Sequence, residues 1–144
     1  MASIIKKTYK KYDYRIYTFD IDYFKRVIND ENVLKEITIE TKNKDELYEE
    51  YKKADYGFLL RDDNVINNVS YPTKLIEYLS FGIIPICDTK RIGDMEELKI
   101  NTIDYRNIDS IQEIKSKEKK NIIHLNYETI RNNKNGQENK KWYL

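Results

Sequence analysis

Two apolar runs, Tyr56-Gly57-Phe58-Leu59-Leu60 and Ile83-Ile84-Pro85-Ile86-Cys87, stand on either side of one strong helix signal. The segment between them that carries the signal, Pro72 to Phe81, has proline at its first turn and Gly82 just past its end. That is the usual asymmetry of helix termini. Short, nearly continuous apolar runs are what strands covered on both faces look like. A strand, a helix and a second strand in this order imply parallel pairing through a crossover.

The rest of the chain repeats the alternation. Tyr14 to Phe19 is a β-rich run ending in the acidic Asp20-Ile21-Asp22, and Tyr23 to Asn29 has Phe24, Val27 and Ile28 at helical spacing. Ile37 to Thr41 reads as a short strand, followed by Lys42-Asn43-Lys44 and a helix over Asp45 to Lys53 with acidic residues in its first turn. Beyond Cys87 the spacing predicts a helix around Met95 to Leu98, a short strand at Thr102 to Tyr105, and helices over Ser110 to Lys120 and Tyr127 to Asn133. The polar tail 132–144 has little to bury except Trp142 and Tyr143, and is expected to be partly flexible. With 144 residues, the chain is expected to form a single domain. The predicted fold class is α/β, a doubly wound, Rossmann-like, mostly parallel sheet with helices on both faces.

Composition narrows the function classes. Net charge is +1, which gives no whole-chain attraction to nucleic acid. The basic runs Lys6-Lys7 with Lys10-Lys11, and Lys115 to Lys120, read as solvated helix faces. The single cysteine, Cys87, excludes an intramolecular disulfide and has no metal-ligand partner at a suitable spacing, so no metal is expected. Its apolar neighbours make it a buried structural thiol, and His124 and Trp142 read as packing residues. No segment is apolar enough for a signal peptide or a membrane span, so the cytoplasm is the expected compartment.

In doubly wound sheets, ligands bind beyond the carboxyl ends of the strands. Asp20 to Asp22, Lys42 to Lys44, Arg61 to Ser70 and Asp88 to Asp94 are therefore the segments to weigh. The helix beginning at Pro72 would present unpaired N–H groups suited to a phosphate. Lys74 lies in its first turn, where a cation is misplaced by roughly 0.3–1 kcal/mol unless an anion is near. Glu77 shares a face with Lys74, one turn in, where a carboxylate can accept two hydrogen bonds from a ribose diol. On spacing alone, a surface Lys74–Glu77 ion pair is the better-supported reading.

Taken together, Ala54-Asp55-Tyr56-Gly57-Phe58-Leu59-Leu60-Arg61, the segment Tyr71 to Ile86 and Ile92-Gly93-Asp94 resemble the C-terminal domain of GT-B glycosyltransferases. The likeness is nearest to the retaining, nucleotide-sugar-dependent enzymes of family 4. The resemblance implies that Glu77 binds the donor ribose, that Lys74 faces the diphosphate, that Arg61 is a bidentate partner for phosphate or sugar, and that Lys74 and Arg61 act catalytically. It places Pro72, Thr73, Ser70, Asn68, Gly93 and Asp94 around the donor, with a turn and helix N-cap as the other reading of Gly93 and Asp94. A nucleotide-diphosphate sugar would be the donor substrate, with no metal cofactor, and the developing charge on the leaving diphosphate would be met by Arg, Lys and helix-terminal N–H groups. Many relatives carry a second glutamate at the position held here by Val69, which leaves the sugar-contacting role vacant or shifted to Asn68 or Ser70.

The resemblance further implies an N-terminal acceptor-binding domain as partner, with peripheral membrane association in the full enzyme. The chain is expected to start inside the C-terminal domain, and alone to bind donor weakly and turn over very slowly or not at all. Two other readings stay open. One is a non-catalytic nucleotide-binding module, favoured by Val69. The other is a phosphorelay receiver, for which Asp20, Asp22, Asp62 and Thr89 mimic an acidic pocket and switch residue. The receiver reading finds no Lys-Pro-like turn in Thr102 to Arg106, and it leaves the Pro72 to Gly82 signature unexplained.

Overall fold

The computed structural model of the chain describes residues 1–60, 73–92, 100–111 and 116–135. The class is α/β with parallel strands, compatible with the doubly wound, Rossmann-like fold read from the sequence. By compactness the chain divides into two units, Met1–Lys53 and Ala54–Leu144, each with its own parallel sheet.

The first unit runs α1 (Ala2–Thr8), β1 (Arg15–Tyr17), α2 (Ile21–Ile28), α3 (Glu31–Glu36), β2 (Thr38–Glu40) and α4 (Lys44–Lys53). β1 and β2 pair in parallel, with Ile16 opposite Ile39. Helix starts follow local capping chemistry. The Asp20 carboxylate accepts from Tyr23 N–H at 2.8 Å, and Asp30 accepts from the N–H groups of Asn32 and Val33. At α4, Glu46 N–H donates to Asn43 Oδ1 while Asn43 N–H donates to Glu46 Oε2, a reciprocal capping box. α2 ends at Asn29, which takes the left-handed conformation at φ 43°. Ile5, Tyr14, Ile28, Val33, Ile37 and Tyr51 are buried in this unit. Buried Thr8 is satisfied twice, donating to Ile4 O and sharing a 2.6 Å hydrogen bond with the Tyr14 hydroxyl.

The second unit contains β3 (Tyr56–Leu59), α5 (Thr73–Ser80), β4 (Ile84–Cys87), β5 (Ile103–Asp104) and α6 (Ser116–Asn135), with 3₁₀ turns at Thr89–Arg91 and Tyr105–Ser110. The sheet order is β3-β4-β5, all parallel. β4, in the middle, is buried throughout. It carries Pro85, and prolines are normally confined to strand edges because they lack a donor. The register explains the exception. Ile84 N–H donates toward β3, to Asp55 O, so the backbone of Pro85 turns to the β5 side, and β5 pairs only from Ile86 onward. β3 was expected to be covered on both faces, but Tyr56, Gly57 and Phe58 are half-buried and Leu60 is exposed. Among the described strands β3 lies at the sheet margin, which accounts for the difference.

Packing fixes α5 between β3, β4 and α6. Leu75 and Leu79 enter a core with Leu59, Cys87 and Ile92, as the apolar stripe predicts. Ile76, the third member of the predicted stripe, is exposed instead. The Tyr78 ring closes directly on Gly57: a Cβ there would come 2.4 Å from the ring. The Tyr78 hydroxyl donates to Phe58 O at 3.3 Å. At the other end of α5, Gly82 adopts φ 68°, Ile83 N–H returns to Tyr78 O and Gly82 N–H to Leu79 O. This is a Schellman closure, and it confirms Gly82 as the helix stop.

Several expectations are corrected. α1 and α3 have no counterpart in the sequence reading, and the two predicted C-terminal helices are one: α6 is continuous across residues 121–126. No glycine or proline interrupts that stretch, and two side chains hold it to the unit. Asn126 Nδ2 donates to Leu79 O at 3.2 Å, and Lys119 Nζ donates to Ala54 O. Lys119 therefore leaves the solvated face assigned to its run, and its burial pulls its pKa down. His124 is exposed rather than packed, and Trp142 lies outside the described residues. So do the predicted helix at Met95 to Leu98 and the tail beyond residue 135.

Candidate functional site

The start of α5 stands toward the carboxyl edge of its sheet, because the short turn at Gly82 joins the other end of the helix to the amino end of β4, so that the helix runs back against the parallel strands. Thr73 opens the helix, and its first turn contains no acidic residue. Lys74 and Glu77 follow on one face, with Lys74 Nζ 3.3 Å from Glu77 Oε2. Their side chains retain 42% and 25% of their surface, so the pair is accessible to a ligand and contributes little to stability. Glu77 is neighbour in the chain to Tyr78, whose ring on Gly57 fixes the rotation of the helix. The sequence signals Gly57 and Glu77-Tyr78 are thus one device: the glycine lets the tyrosine seat, and the tyrosine aims the glutamate.

Of the predicted donor-site residues, Thr73, Lys74 and Glu77 are brought together on the first turns of α5. Arg61, Asn68, Ser70, Pro72, Gly93 and Asp94 lie outside the described residues, as do Asp62 and Val69.

The same sheet edge carries a cluster that sequence reasoning did not assemble. The register sets Cys87 opposite Asp104, so the residues leaving β4 and β5 are neighbours. Asp88 caps the turn after β4 through Lys90 N–H, and Asp104 caps the turn after β5 through Arg106 N–H. Arg106 grips Asp104 with two guanidinium nitrogens, reaches within 3.9 Å of Asp88, and lies over the Tyr105 ring. Hydrogen bonds from Arg106 hold the Asp104 carboxyl below its ordinary range, and Asp104 in turn raises the Arg106 pKa. Cys87 beneath them is pushed up to about 11 by burial, helped by the charges of Asp88 and Asp104. It is an unreactive neutral thiol, as its apolar run predicts. The signal available in the sequence was an aspartate and an arginine two residues apart just past a strand.

In the first unit, the charged focus is Glu50 on α4. It accepts from Arg15 at 2.9 Å and Lys53 at 3.1 Å, with Lys42 at 3.6 Å. Hydrogen bonds from Lys53, Tyr17 and Arg15 pull its pKa down to about 2. Burial and Glu50 together push Tyr17 up to about 12. Every cation there already faces a carboxylate, which makes the network a clasp between α4 and the β1–β2 sheet.

Of the residues that suggested a receiver, Asp20 and Thr89 stand on different sheets. Asp20 is the cap of α2 and follows β1 in the two-stranded sheet, whereas Thr89 follows β4 in the three-stranded one. Among the described residues, no group of three or more His, Cys, Asp or Glu is placed to hold a metal ion. No described helix is long and apolar enough to cross a membrane. Comparison of the chain with protein-family models, curated proteins and solved structures finds no match.

Proposed function

We propose that the Ala54–Leu144 unit binds a nucleotide-diphosphate sugar and serves as the donor half of a glycosyltransferase of hexosyl-transferring type. The observation that carries this reading is the Lys74–Glu77 pair at the opening of α5, on the carboxyl edge of a parallel sheet. Glu77 accepts hydrogen bonds from the ribose hydroxyls. Lys74 and the backbone N–H groups at the start of α5 face the diphosphate, and Lys74 is released from Glu77 to do so. Arg61 is assigned to the same phosphates on the resemblance alone. The acceptor site belongs to a partner domain, which closes the cleft in which transfer takes place.

The test is titration calorimetry of the chain with UDP, GDP and ADP, and with their sugars. Binding of one nucleotide series, lost in Glu77→Ala and weakened in Lys74→Ala, is the expected result. Absence of any nucleotide binding at millimolar concentration overturns the reading, as does magnesium-dependent phosphorylation of Asp62 by acetyl phosphate. A non-catalytic nucleotide-binding module, the reading that Val69 favours, would bind in the same way but give no transfer when the partner domain is supplied.

A further inference from the structure

The α2 surface carries more apolar character than its own unit uses. At about 100° per residue, Tyr23, Val27, Phe24 and Ile28 form one continuous arc of the helix. Ile28, on one side of that arc, is fully buried and Phe24 half-buried, while Tyr23 and Val27, on the other, stay 57% and 42% exposed. Phe19 extends the exposed side. It stands just before the helix cap Asp20, the position from which an apolar side chain ordinarily packs on the fourth helical residue, here Phe24. That staple is not closed: Phe19 is 93% exposed.

The charges bordering this stripe have a direction. Asp22 and Arg26 lie side by side along one flank of it, four residues apart, both exposed and neither with an ion-pair partner among the described residues. A second α2 laid antiparallel across the stripe under two-fold symmetry brings like flank to like flank with the direction reversed. Asp22 of each copy then meets Arg26 of the other, and Tyr23 of each meets Val27 of the other. The surface is complementary to itself, which is the requirement for an isologous contact.

From this we infer that the Phe19–Tyr23–Val27 face of α2 is a self-association surface whose occupant is the same face of a second copy of this chain. Its three apolar side chains fall short of the roughly 1,200 Å² buried in stable specific interfaces, so the dimer is weak and reversible, populated at about 100 μM and above.

Sedimentation velocity of the full chain between about 10 μM and 1 mM tests this. The weight-average mass rises with concentration, and Tyr23→Asp removes the rise. Asp22→Arg and Arg26→Asp each weaken association by at least about tenfold, because each juxtaposes like charges twice across the two-fold. An equimolar mixture of those two variants restores it, since each then supplies the charges the other lacks. Both positions are exposed, and far-UV circular dichroism confirms that the variants fold. A chain that stays monomeric to 1 mM overturns the inference. So does self-association that survives Tyr23→Asp, or a mixture that associates no better than its components.

Discussion

Replacing Gly57 by alanine tests the packing that aims the candidate site. The added methyl would stand 2.4 Å from Tyr78 Cε2, 2.5 Å from Cζ and 2.9 Å from Cδ2, where carbon atoms prefer about 3.5–4 Å. The ring must move by about 1 Å or more, and it is not free to do so cheaply. Its hydroxyl is bonded to Phe58 O, and its flank packs on the Leu59, Leu75, Leu79 cluster. Overpacking of this kind costs about 1–3 kcal/mol, against which alanine regains about 0.4–1 kcal/mol by restricting the unfolded chain. The net loss is about 0.5–2 kcal/mol, a fall in the urea midpoint of about 0.3–1 M for a unit of this size. Urea unfolding followed by far-UV circular dichroism measures it. The decisive control is the same substitution in a Tyr78→Ala background, where the obstacle is gone and Gly57→Ala becomes neutral or mildly stabilising. A coupling of at least about 1 kcal/mol between the two positions is expected. Equal costs in both backgrounds would refute the argument, because Gly57 would then matter for its backbone alone.

Three further outcomes follow from the structure. Gly82→Ala should cost at least about 1 kcal/mol in the same assay, because φ 68° disfavours a side chain and its Cβ would meet Ile123 at 2.7 Å; Gly82→Asn, which tolerates that conformation better, should cost less in backbone strain. The Glu50 carboxyl titrates at about 2 when folded against an ordinary 4.5, so its stabilising effect is complete above pH 4.5 and is lost as pH falls from there toward 2. Glu50→Gln should therefore unfold more easily than wild type at pH 7, with the gap narrowing by pH 2.5 in urea titrations at both values. Cys87, buried and shifted to about 11, should resist iodoacetamide at pH 8 in the native protein and react at once in urea; prompt native labelling would mean that β4 is not the buried centre of its sheet.

How far the sequence spoke can be judged at the site itself. Lys74 and Glu77 were legible because helical spacing alone puts residues three apart on one face, and the ion pair is found there. The Asp88, Asp104 and Arg106 cluster was not legible, because its members approach only when β5 pairs with β4, and two paired residues leave almost no periodic trace. The missed helices α1 and α3 have the same origin. At seven and six residues they are too short to be stable alone, and what holds them is the burial of Ile5 and Val33 in the first unit. Asp30 did offer a cap signal for α3.

By itself, then, the sequence determined the strand–helix–strand order from Tyr56 to Cys87, its parallel sense, the stop at Gly82 and the burial of Cys87. All of these rest on local rules: apolar runs, backbone conformation at glycine, and crossover geometry. The tertiary structure alone decided that Tyr78 seats on Gly57, that Asn126 and Lys119 bind α6 to carbonyls far away in the chain, and that the strands are shared between two sheets. Those contacts join residues whose spacing carries no period, so they follow from how the elements pack and from no pattern within any one of them.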